Sequence, residues 1–394
     1  MIYTQNFKTK TIFTERKNVS VDGIWTVALD IGYSAVKGFS NNMIYSFPSY
    51  CRKMTSQMLS FGDVNRDDIL YKDNDTGEVW VVGAAAQEMI MSGETNDSLT
   101  ELYGRNRYFS DIFKIISRVG LGIGMLSNQY DSPNGKKLVV QTGLPPAYIK
   151  SDTPLLKEAL SGHHNFSIKI GNKQWVSLSF DLSEDDIYVM PQPMGTLFSI
   201  STDNSGMPVP DMPRYFNSSM LIFDPGFGTL DVFNIRNKIV ESYETFETLG
   251  MKRVLQETAN KIMEKYHQEV SVPAMQKLLT TGEVKCFDRK NRKTTLENFS
   301  DILEECSKKV CYEALAKVDN IYNNLFEHDY LVITGGTGDA WKNIITEYYS
   351  GMESLKIING NQNDMLPTIF SNVRGYYLYL VNKIKNKVAK EKVN

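Results

Sequence analysis

The fold of this chain is decided by two similar stretches, VALDIGYSAVKGF at residues 27–39 and LIFDPGFGTLDVF at residues 221–233. In both stretches three apolar residues precede an aspartate, Asp30 or Asp224. A glycine, an aromatic residue, an aliphatic residue and a phenylalanine then follow at the same spacings. Because the stretches lie about half the chain apart, this internal echo predicts two structurally similar halves.

Each stretch also predicts a β-hairpin. The apolar triplet is typical of a buried strand, the Asp-x-Gly segment of a turn, and the alternating residues after it of a return strand. Glycine permits positive φ angles and lets backbone N–H groups approach a ligand, so such a turn can hold phosphate oxygens. Asp-Pro-Gly is also ordinary hairpin chemistry. Two matched copies favour the phosphate-binding interpretation over that alternative.

A triphosphate needs backbone donors, a cation, and carboxylates that position a hydrated metal ion. Asp30 and Asp224 are the predicted magnesium ligands, acting through the waters of the ion. Lys37 is a candidate phosphate contact, although a lysine at a strand edge is usually only solvated. The other predicted phosphate contacts are Gly32, Tyr33 and Ser34 in the first hairpin, and Gly226, Phe227, Gly228 and Thr229 in the second.

A third glycine turn follows the apolar run LVIT, with Gly335, Gly336 and Thr337 as the predicted surface for the nucleoside. Gly250, which precedes a predicted helix, is a further candidate for nucleotide binding. The chain contains no G-x-x-x-x-G-K-[ST] segment, and GGTGDAW departs from G-x-G-x-x-G. These absences exclude a P-loop and argue against a dinucleotide-binding fingerprint.

Hydrolysis also requires a water molecule aligned on the γ-phosphorus. Gln192, in the segment MPQPMG, is the candidate that orients this water, and Asp30 is predicted to act with it. Since an amide is a poor base, the expected rate is slow. The alternative is that Gln192 only bridges backbone groups before a helix.

Composition bounds the remaining possibilities. The chain has 394 residues, of which 42% are hydrophobic. Because one hydrophobic core usually stops growing at roughly 250–300 residues, this length predicts two domains. Forty-six acidic and 43 basic residues give a net charge of −3, so we expect no direct contact with nucleic acid or membrane. The four cysteines and four histidines lack metal-ligand spacing, and sparse cysteine indicates the cytoplasm.

The expected organisation starts with a polar extension at residues 1–21, interpreted as disordered or else as an ordered functional arm. Domain I is predicted at 22–200, with an inserted subdomain at about 41–100 and a completing C-terminal helix at 371–394. Domain II is predicted at 201–370. Further helices are expected within residues 105–126, after Gly250, within 298–326 and after the GGTG turn.

Five motifs occur in a fixed order: DIGYSAVK, MPQPMG, DPGFGTLD, VITGGTG and SNVRGYY. In this order they resemble the phosphate, connecting and adenosine motifs of the actin, sugar-kinase and heat-shock-chaperone superfamily. The resemblance covers nearly everything from about residue 22 onward. It implies an α/β, actin-like fold with two RNase H-like domains around a central nucleotide cleft and smaller inserted subdomains.

Within that superfamily the chain most resembles ParM-type actin-like proteins, which segregate plasmids, on YGRNRYFSDIF, VVQTGLPPAYI and the segment from Asn372 to Gly375. The resemblance implies filaments that bind ATP, or GTP, with Mg²⁺ and hydrolyse it slowly. It also implies a DNA-binding adaptor. ParM-type members often carry a glutamate at the position of Gln192, so the resemblance leaves the rate of hydrolysis open.

Two other classes compete with a filament. A small-molecule kinase of the same fold needs a carboxylate base, for which Asp181, Asp185 and Asp186 are available, yet no acid directly follows QPMG. A chaperone or assembly ATPase needs a further domain or an amphipathic anchor, and neither terminus shows a convincing apolar face.

Overall fold

The computed structural model describes residues 3–55, 67–90, 105–288 and 290–391. The chain divides into two units. The first unit holds Asp30 and is made of the described parts of Lys10–Ala86, Ser98–Tyr215 and Gly360–Asn394. The second unit holds Asp224 and is made of the described parts of Met1–Thr9, Gln87–Asp97 and Phe216–Asn359.

The main sheet of the first unit is built around the predicted hairpin, in which Asp30 lies opposite Lys37. The hairpin strands are antiparallel, and two further strands add in parallel on one side. In spatial order the strands are β1 (Ile12–Glu15), β4 (Met43–Pro48), β3 (Ala35–Ser40), β2 (Ile24–Ile31), β8 (Lys137–Leu144) and β11 (Ile187–Pro191).

The main sheet of the second unit repeats this plan around the other hairpin. Its spatial order is β14 (Ile239–Phe246), β13 (Leu230–Arg236), β12 (Ser219–Pro225), β17 (Tyr330–Ile333) and β18 (Lys356–Asn359). Strand directions match those of β4-β3-β2-β8-β11, with two antiparallel pairings followed by two parallel ones. The prediction of two similar halves is therefore confirmed at the level of strand order.

Ten α-helices accompany the sheets in the described ranges, and the helices predicted from apolar spacing are confirmed. They are α1 (Ala84–Glu88), α2 (Asp111–Gly124), α3 (Ile149–Leu160), α4 (Gln192–Ser201), α5 (Met212–Asn217), α6 (Met251–Tyr266), α7 (Val272–Leu278), α8 (Ser300–Ile321), α9 (Gly335–Tyr348) and α10 (Ser371–Glu391). Within these ranges no helix has the length and apolar character that crossing a bilayer demands.

Helix α2 packs closely on the first main sheet because small residues face it. A Cβ on Gly120 would lie 3.1 Å from Val36, and one on Gly124 would lie 2.9 Å from Val27. The helix begins after Ser110, whose hydroxyl oxygen accepts a hydrogen bond from Phe113 N at 3.2 Å. This cap explains why the α-helix starts later than residue 105.

Helices α4 and α10 cross with their backbones in contact. A Cβ on Gly195 would lie 2.5 Å from the carbonyl oxygen of Asn372, and one on Gly375 would collide with the carbonyl of Gly195. Thr196 Oγ1 adds a hydrogen bond to Asn372 Oδ1 at 2.7 Å. Glycine is therefore required at both crossing positions.

Arg374 is a buried cation on α10 that binds the last turn of α4. Its Nη1 donates to Ser199 O at 2.7 Å, and its Nη2 donates to Thr202 O at 3.0 Å. Asp364 lies 3.3 Å from Arg374 Nε and 2.8 Å from Arg16 Nη2, so one carboxylate neutralises two guanidinium groups. Burial lowers the pKa of Arg374 to about 10, and Asp364 opposes that effect.

A second sheet in the first unit has the order β10 (Val176–Leu182), β9 (Gly162–Ile170), β6 (Ile69–Asp73), β7 (Val79–Val82) and β5 (Cys51–Lys53). It differs from the predicted insert at 41–100, because β9 and β10 come from much later in the chain. Residues 56–66 and 91–100 of that predicted insert lie outside the described residues, as do residues 103–104 of YGRNRYFSDIF.

The N-terminal segment is structured where it is described, so the prediction of disorder is wrong for residues 3–15. Tyr3–Phe7 forms a 3₁₀ turn, with Phe7 buried and Thr4 Oγ1 donating to Leu279 O at 2.8 Å. Strand β1 pairs antiparallel with β4, Ile12 opposite Ser46. These partners lie far along the chain, which is why the local polar composition did not indicate them.

Candidate functional site

The first hairpin turn is closed by a backbone hydrogen bond from Gly32 N to Ala35 O at 3.0 Å. Ser49 supports it from β4's end, since its N donates to Ser34 O at 2.9 Å and its hydroxyl to Gly32 O at 2.8 Å. A Cβ on Gly32 would lie 2.9 Å from both Ala35 O and Lys37 Nζ. Only glycine fits this turn without displacing the lysine.

Asp30 is a buried carboxylate, 4% exposed, at the end of β2. Its Oδ2 accepts a hydrogen bond from Lys37 Nζ at 3.1 Å, and its Oδ1 accepts one from Gln192 Nε2 at 3.1 Å. The lysine provides the charge partner that a buried carboxylate requires. The structure thus brings three predicted site residues together, and the Gln192 amide binds a carboxylate rather than bridging backbone groups.

Arg107 is a site residue that sequence reasoning missed. It is buried, its Nη2 donates to Ile31 O at 2.9 Å, and its guanidinium lies 4.5 Å from the centre of the Tyr33 ring. Its Nη1 is buried with no hydrogen-bond partner among the described residues. A buried cationic donor therefore remains unsatisfied beside the first turn. The local sequence RNRYF carries no signal that pairs it with that turn.

The second hairpin turn is closed by Gly226 N donating to Thr229 O at 2.7 Å. Two helices support it. Thr337 Oγ1 of α9 donates to Gly226 O at 2.8 Å, and Lys252 N, in the first turn of α6, donates to Phe227 O at 2.8 Å. Two predicted residues of this turn, Gly226 and Phe227, therefore contact the N-terminal ends of two helices, where the helix dipole is positive.

Two glycines set the spacing between these elements in the second unit. Gly335 has φ +76°, and a Cβ there would lie 2.7 Å from Asp224 Oδ1. Gly250 precedes α6, and a Cβ there would lie 2.5 Å from Phe227 O. The buried carboxylate of Asp224 therefore lies directly beside the first glycine of the GGTG turn.

Asp231 is a second buried carboxylate that sequence reasoning left unassigned. It lies opposite Asp224 in the hairpin register. Its two oxygens accept hydrogen bonds from Thr229 Oγ1 at 3.2 Å and Thr245 Oγ1 at 2.7 Å. Its position at the end of the motif DPGFGTLD could have identified it as a site residue. Because it orders Thr229, we assign it a supporting position.

The remaining predicted residues, two glycines and the carboxylates considered for a kinase, show no contact that assigns them a role. Gly228 lies in the turn between β12 and β13, and Gly336 in the first turn of α9. Of the carboxylates considered for a kinase base, Asp181 is 85% exposed and bound to His163, and Asp186 is bound to Lys137. The structure thus collects the nucleotide candidates into two groups, one in each unit, and places the kinase candidates on a surface segment.

The residues present fit a phosphate chain with magnesium. Each group combines a buried aspartate with a glycine turn too tight for a Cβ, and the first adds Lys37 and the unsatisfied Arg107 nitrogen. Among the described residues no three His, Cys, Asp or Glu side chains cluster at metal-binding distance. In each group taken by itself, the aspartate is a carboxylate that could bind Mg²⁺ through the waters that this ion keeps.

Comparison with known proteins addresses the fold. A family model described as the N-terminal domain of actin-like proteins matches residues 28–195. A solved structure described as a non-polymerisable quadruple mutant of pCBH ParM aligns with a TM-score of 0.70 and 21% identity, over 91% of this chain and 99% of that one. The chain has the actin-like fold that this ParM structure shows. The actin-like fold that the five motifs implied is thereby confirmed.

Two further solved structures share the fold of this chain. A 15-stranded ParM filament from Clostridium botulinum aligns with a TM-score of 0.69 and 20% identity, over 92% of this chain and 99% of that one. The archaeal actin homologue Ta0583 in complex with ADP aligns with a TM-score of 0.60 and 14% identity, over 91% of this chain and 100% of that one. The comparison with curated proteins finds no match.

Replacing Gly335 with alanine tests the second group of residues. The positive φ and the short distance to Asp224 Oδ1 should displace the carboxylate. We expect nucleotide affinity to fall by about tenfold, or about 1.4 kcal/mol. Titration with a fluorescent nucleotide measures it. Gly351→Ala is the matched control, because a Cβ there meets nothing within 4 Å. Equal affinity of the two variants would contradict the assignment.

Proposed function

We propose that this actin-like protein binds ATP, or GTP, with Mg²⁺, polymerises in the bound state and hydrolyses the nucleotide slowly. The filament would move plasmid DNA through a DNA-binding adaptor in the cytoplasm. One observation carries the proposal. Each unit holds a buried aspartate at a glycine turn, on a hairpin occupying the same place in the same sheet plan.

In the first unit, Lys37 and the turn at Gly32, Tyr33 and Ser34 would contact phosphate oxygens. Asp30 already accepts from Lys37 at 3.1 Å, so the lysine is held beside the turn before any ligand arrives. Such preorganisation reduces the entropy lost on binding. Arg107 would hold the turn through Ile31 O and offer its second nitrogen to an anion.

In the second unit, the backbone N–H groups of Gly226, Phe227, Gly228 and Thr229 would also donate to phosphate oxygens. The GGTG turn would lie against the nucleoside, with Gly250 at the start of α6 beside it. Mg²⁺, when bound, neutralises the charge of the phosphates and binds water strongly.

Hydrolysis would depend on Gln192. Its Nε2 is fixed by Asp30 Oδ1 at 3.1 Å, which leaves its Oε1 to accept a hydrogen bond from water. An amide orients water without removing its proton, which supports a slow triphosphatase.

Self-association is supported by the fold comparisons, among which a ParM filament occurs. The net charge of −3 supports an indirect link to DNA, because a strong non-specific DNA binder needs excess positive charge. The adaptor would supply that charge.

Light scattering with ATP and magnesium tests the proposal. We expect scattering to rise steeply above a critical protein concentration and to stay at baseline when a chelator removes magnesium. Electron microscopy of the same samples should show filaments. No rise with ATP or GTP, together with ADP release that depends on an added sugar, would overturn the filament proposal in favour of a kinase.

A further inference from the structure

Arg107 is a buried guanidinium group in the first unit, and it is only 6% exposed. Three aromatic rings lie close to it. Its guanidinium carbon is 4.5 Å from the ring centre of Tyr33, 5.5 Å from that of Tyr108 and 5.4 Å from that of Phe113. An aromatic face attracts a cation, but it does not replace an oxygen acceptor for each N–H group. These rings therefore leave the N–H donors of Arg107 in need of acceptors.

One of the two terminal nitrogens of Arg107 has such an acceptor. Nη2 donates to Ile31 O at 2.9 Å. Nη1 is buried and has no hydrogen-bond partner in the part of the chain that the structure describes. Leaving a buried, charged donor unsatisfied is costly, so a folded protein commonly completes such a group with water or a bound ligand. Arg107 is therefore ready to bind one more group.

The buried carboxylate of this cluster is engaged elsewhere. Asp152 Oδ2 accepts a hydrogen bond from the Tyr108 hydroxyl at 3.0 Å, and its Oδ1 accepts one from the Ser151 hydroxyl at 2.6 Å. Neither Asp152 nor any other carboxylate of the described ranges forms an ion pair with Arg107. Its positive charge is buried without a directly bound counterion.

Arg107 contacts the first hairpin turn on both sides of Gly32. It binds the carbonyl of Ile31, which precedes this glycine, and packs on the ring of Tyr33, which follows it. The other cation of the turn, Lys37, is already paired with Asp30 at 3.1 Å. Among the described cations at this turn, Arg107 is thus the one left for an incoming anion.

We propose that Nη1 of Arg107 binds a phosphoryl group at the first hairpin turn. This group is the terminal phosphate of a bound triphosphate or the phosphate ion that hydrolysis releases. Because Ile31 O keeps the other nitrogen, Arg107 holds the turn and the phosphate at once. The affinity of the site then depends on whether that phosphate is present. The inference rests on the proposed function and names the residue that distinguishes the triphosphate from the diphosphate.

A phosphate oxygen fits these observations better than a water molecule does. Water would satisfy the Nη1 donor, but it would leave the buried charge of Arg107 without a counterion. A phosphate oxygen supplies the acceptor and the negative charge together, and hydrogen bonds between charged groups are the stronger class.

Two substitutions separate the charge of Arg107 from its bond to the turn. Arg107→Gln keeps a neutral donor for Ile31 O, whereas Arg107→Lys keeps the charge. Competition of ATP or ADP with a fluorescent nucleotide, with magnesium and below the assembly concentration, measures affinity. We expect Arg107→Gln to weaken ATP binding about tenfold or more and ADP binding about threefold or less, since a bond to a charged group is lost. Arg107→Lys should bind ATP within about threefold of the unmodified protein.

Inorganic phosphate identifies the source of the phosphoryl group. If Arg107 holds the released ion, added phosphate should strengthen ADP binding by the unmodified protein about threefold or more, as expected for two ligands that share one site. Arg107→Gln should then abolish this gain and leave ATP binding unchanged. Either this pattern or the selective loss of ATP affinity supports the proposal.

Arg118→Gln is the matched control. Arg118 lies on α2 of the same unit, 6.0 Å from the ring centre of Phe166, but its Nη1 is paired with Asp73 at 3.0 Å. Its loss should leave the ratio of ATP to ADP affinity unchanged. Circular dichroism confirms that each variant folds, and Arg107→Met, which fills the aromatic cluster without a charge, replaces Arg107→Gln if that variant does not.

The proposal is overturned if the folded, uncharged variant keeps both the ATP to ADP affinity ratio and the phosphate effect of the unmodified protein. It is also overturned if Arg107→Lys and Arg107→Gln behave alike, because Arg107 would then only support the turn. If the unmodified protein binds no nucleotide, the proposed function fails instead.

Discussion

Asp30→Asn is expected to lower kcat for nucleotide hydrolysis by about 100-fold or more. Removing one preorganised charge from a catalytic site typically costs that much. Here the substitution leaves the Lys37 ammonium without its carboxylate at 3.1 Å and removes the oxygen charge that would bind metal-bound water. Phosphate release at saturating ATP and magnesium measures the effect.

Asp22→Asn is the matched control, because Asp22 is exposed just before the same strand begins. It should hydrolyse like the unmodified protein. Gln192→Ala separates the two roles, since it should lower kcat and leave nucleotide affinity within about threefold. Unchanged hydrolysis by Asp30→Asn would remove the first hairpin from the site.

Arg374→Met is expected to destabilise the first unit by about 3–5 kcal/mol, the usual result of breaking a buried charge pair from one side. The substitution removes the donors to Ser199 O and Thr202 O and leaves those carbonyls buried without them. Urea unfolding followed by circular dichroism measures the loss.

Arg16→Met provides the comparison. Arg16 shares the same carboxylate, but its side chain is 29% exposed, so we expect a loss of about 1 kcal/mol or less. If the two substitutions cost the same, Arg374 does not hold the end of α4 in the manner described.

The two hairpins could be predicted from the sequence because their information is local. Strand, turn and return strand occupy 13 consecutive letters, VALDIGYSAVKGF, and the glycine that the turn requires stands within them. The same holds for the helices after Gly250 and Gly335, where an apolar strand or glycine directly precedes helical spacing.

Elements that depend on distant partners were missed. Strand β1 forms because it pairs with β4, with Ile12 opposite Ser46. The local sequence KTKTIFTERK does not indicate this pairing. The hairpin of strands Glu283–Asp288 and Lys293–Asn298 is local, and it was missed for a different reason: the segment between its strands contains neither glycine nor proline. Asp288 accepts hydrogen bonds there from Lys290 N and from Asn291.

The candidate site shows the same division. Motif order predicted Asp30, Asp224 and the GGTG turn, since each belongs to a short stretch. The bond between Asp30 and Gln192, 162 positions apart, follows from how α4 begins after β11, which spacing cannot reveal. Arg107 reaches Ile31 O from a 3₁₀ turn 76 positions later.

The crossing of α4 and α10 has a mechanical consequence. Where two helices touch through side chains, one can ratchet past the other by exchanging rotamers. At Gly195 and Gly375 carbonyl meets Cα, so sliding would force backbone atoms through one another. The two helices must therefore move together as one rigid body. Any swing that carries Gln192 during a nucleotide cycle will carry the start of α10 with it.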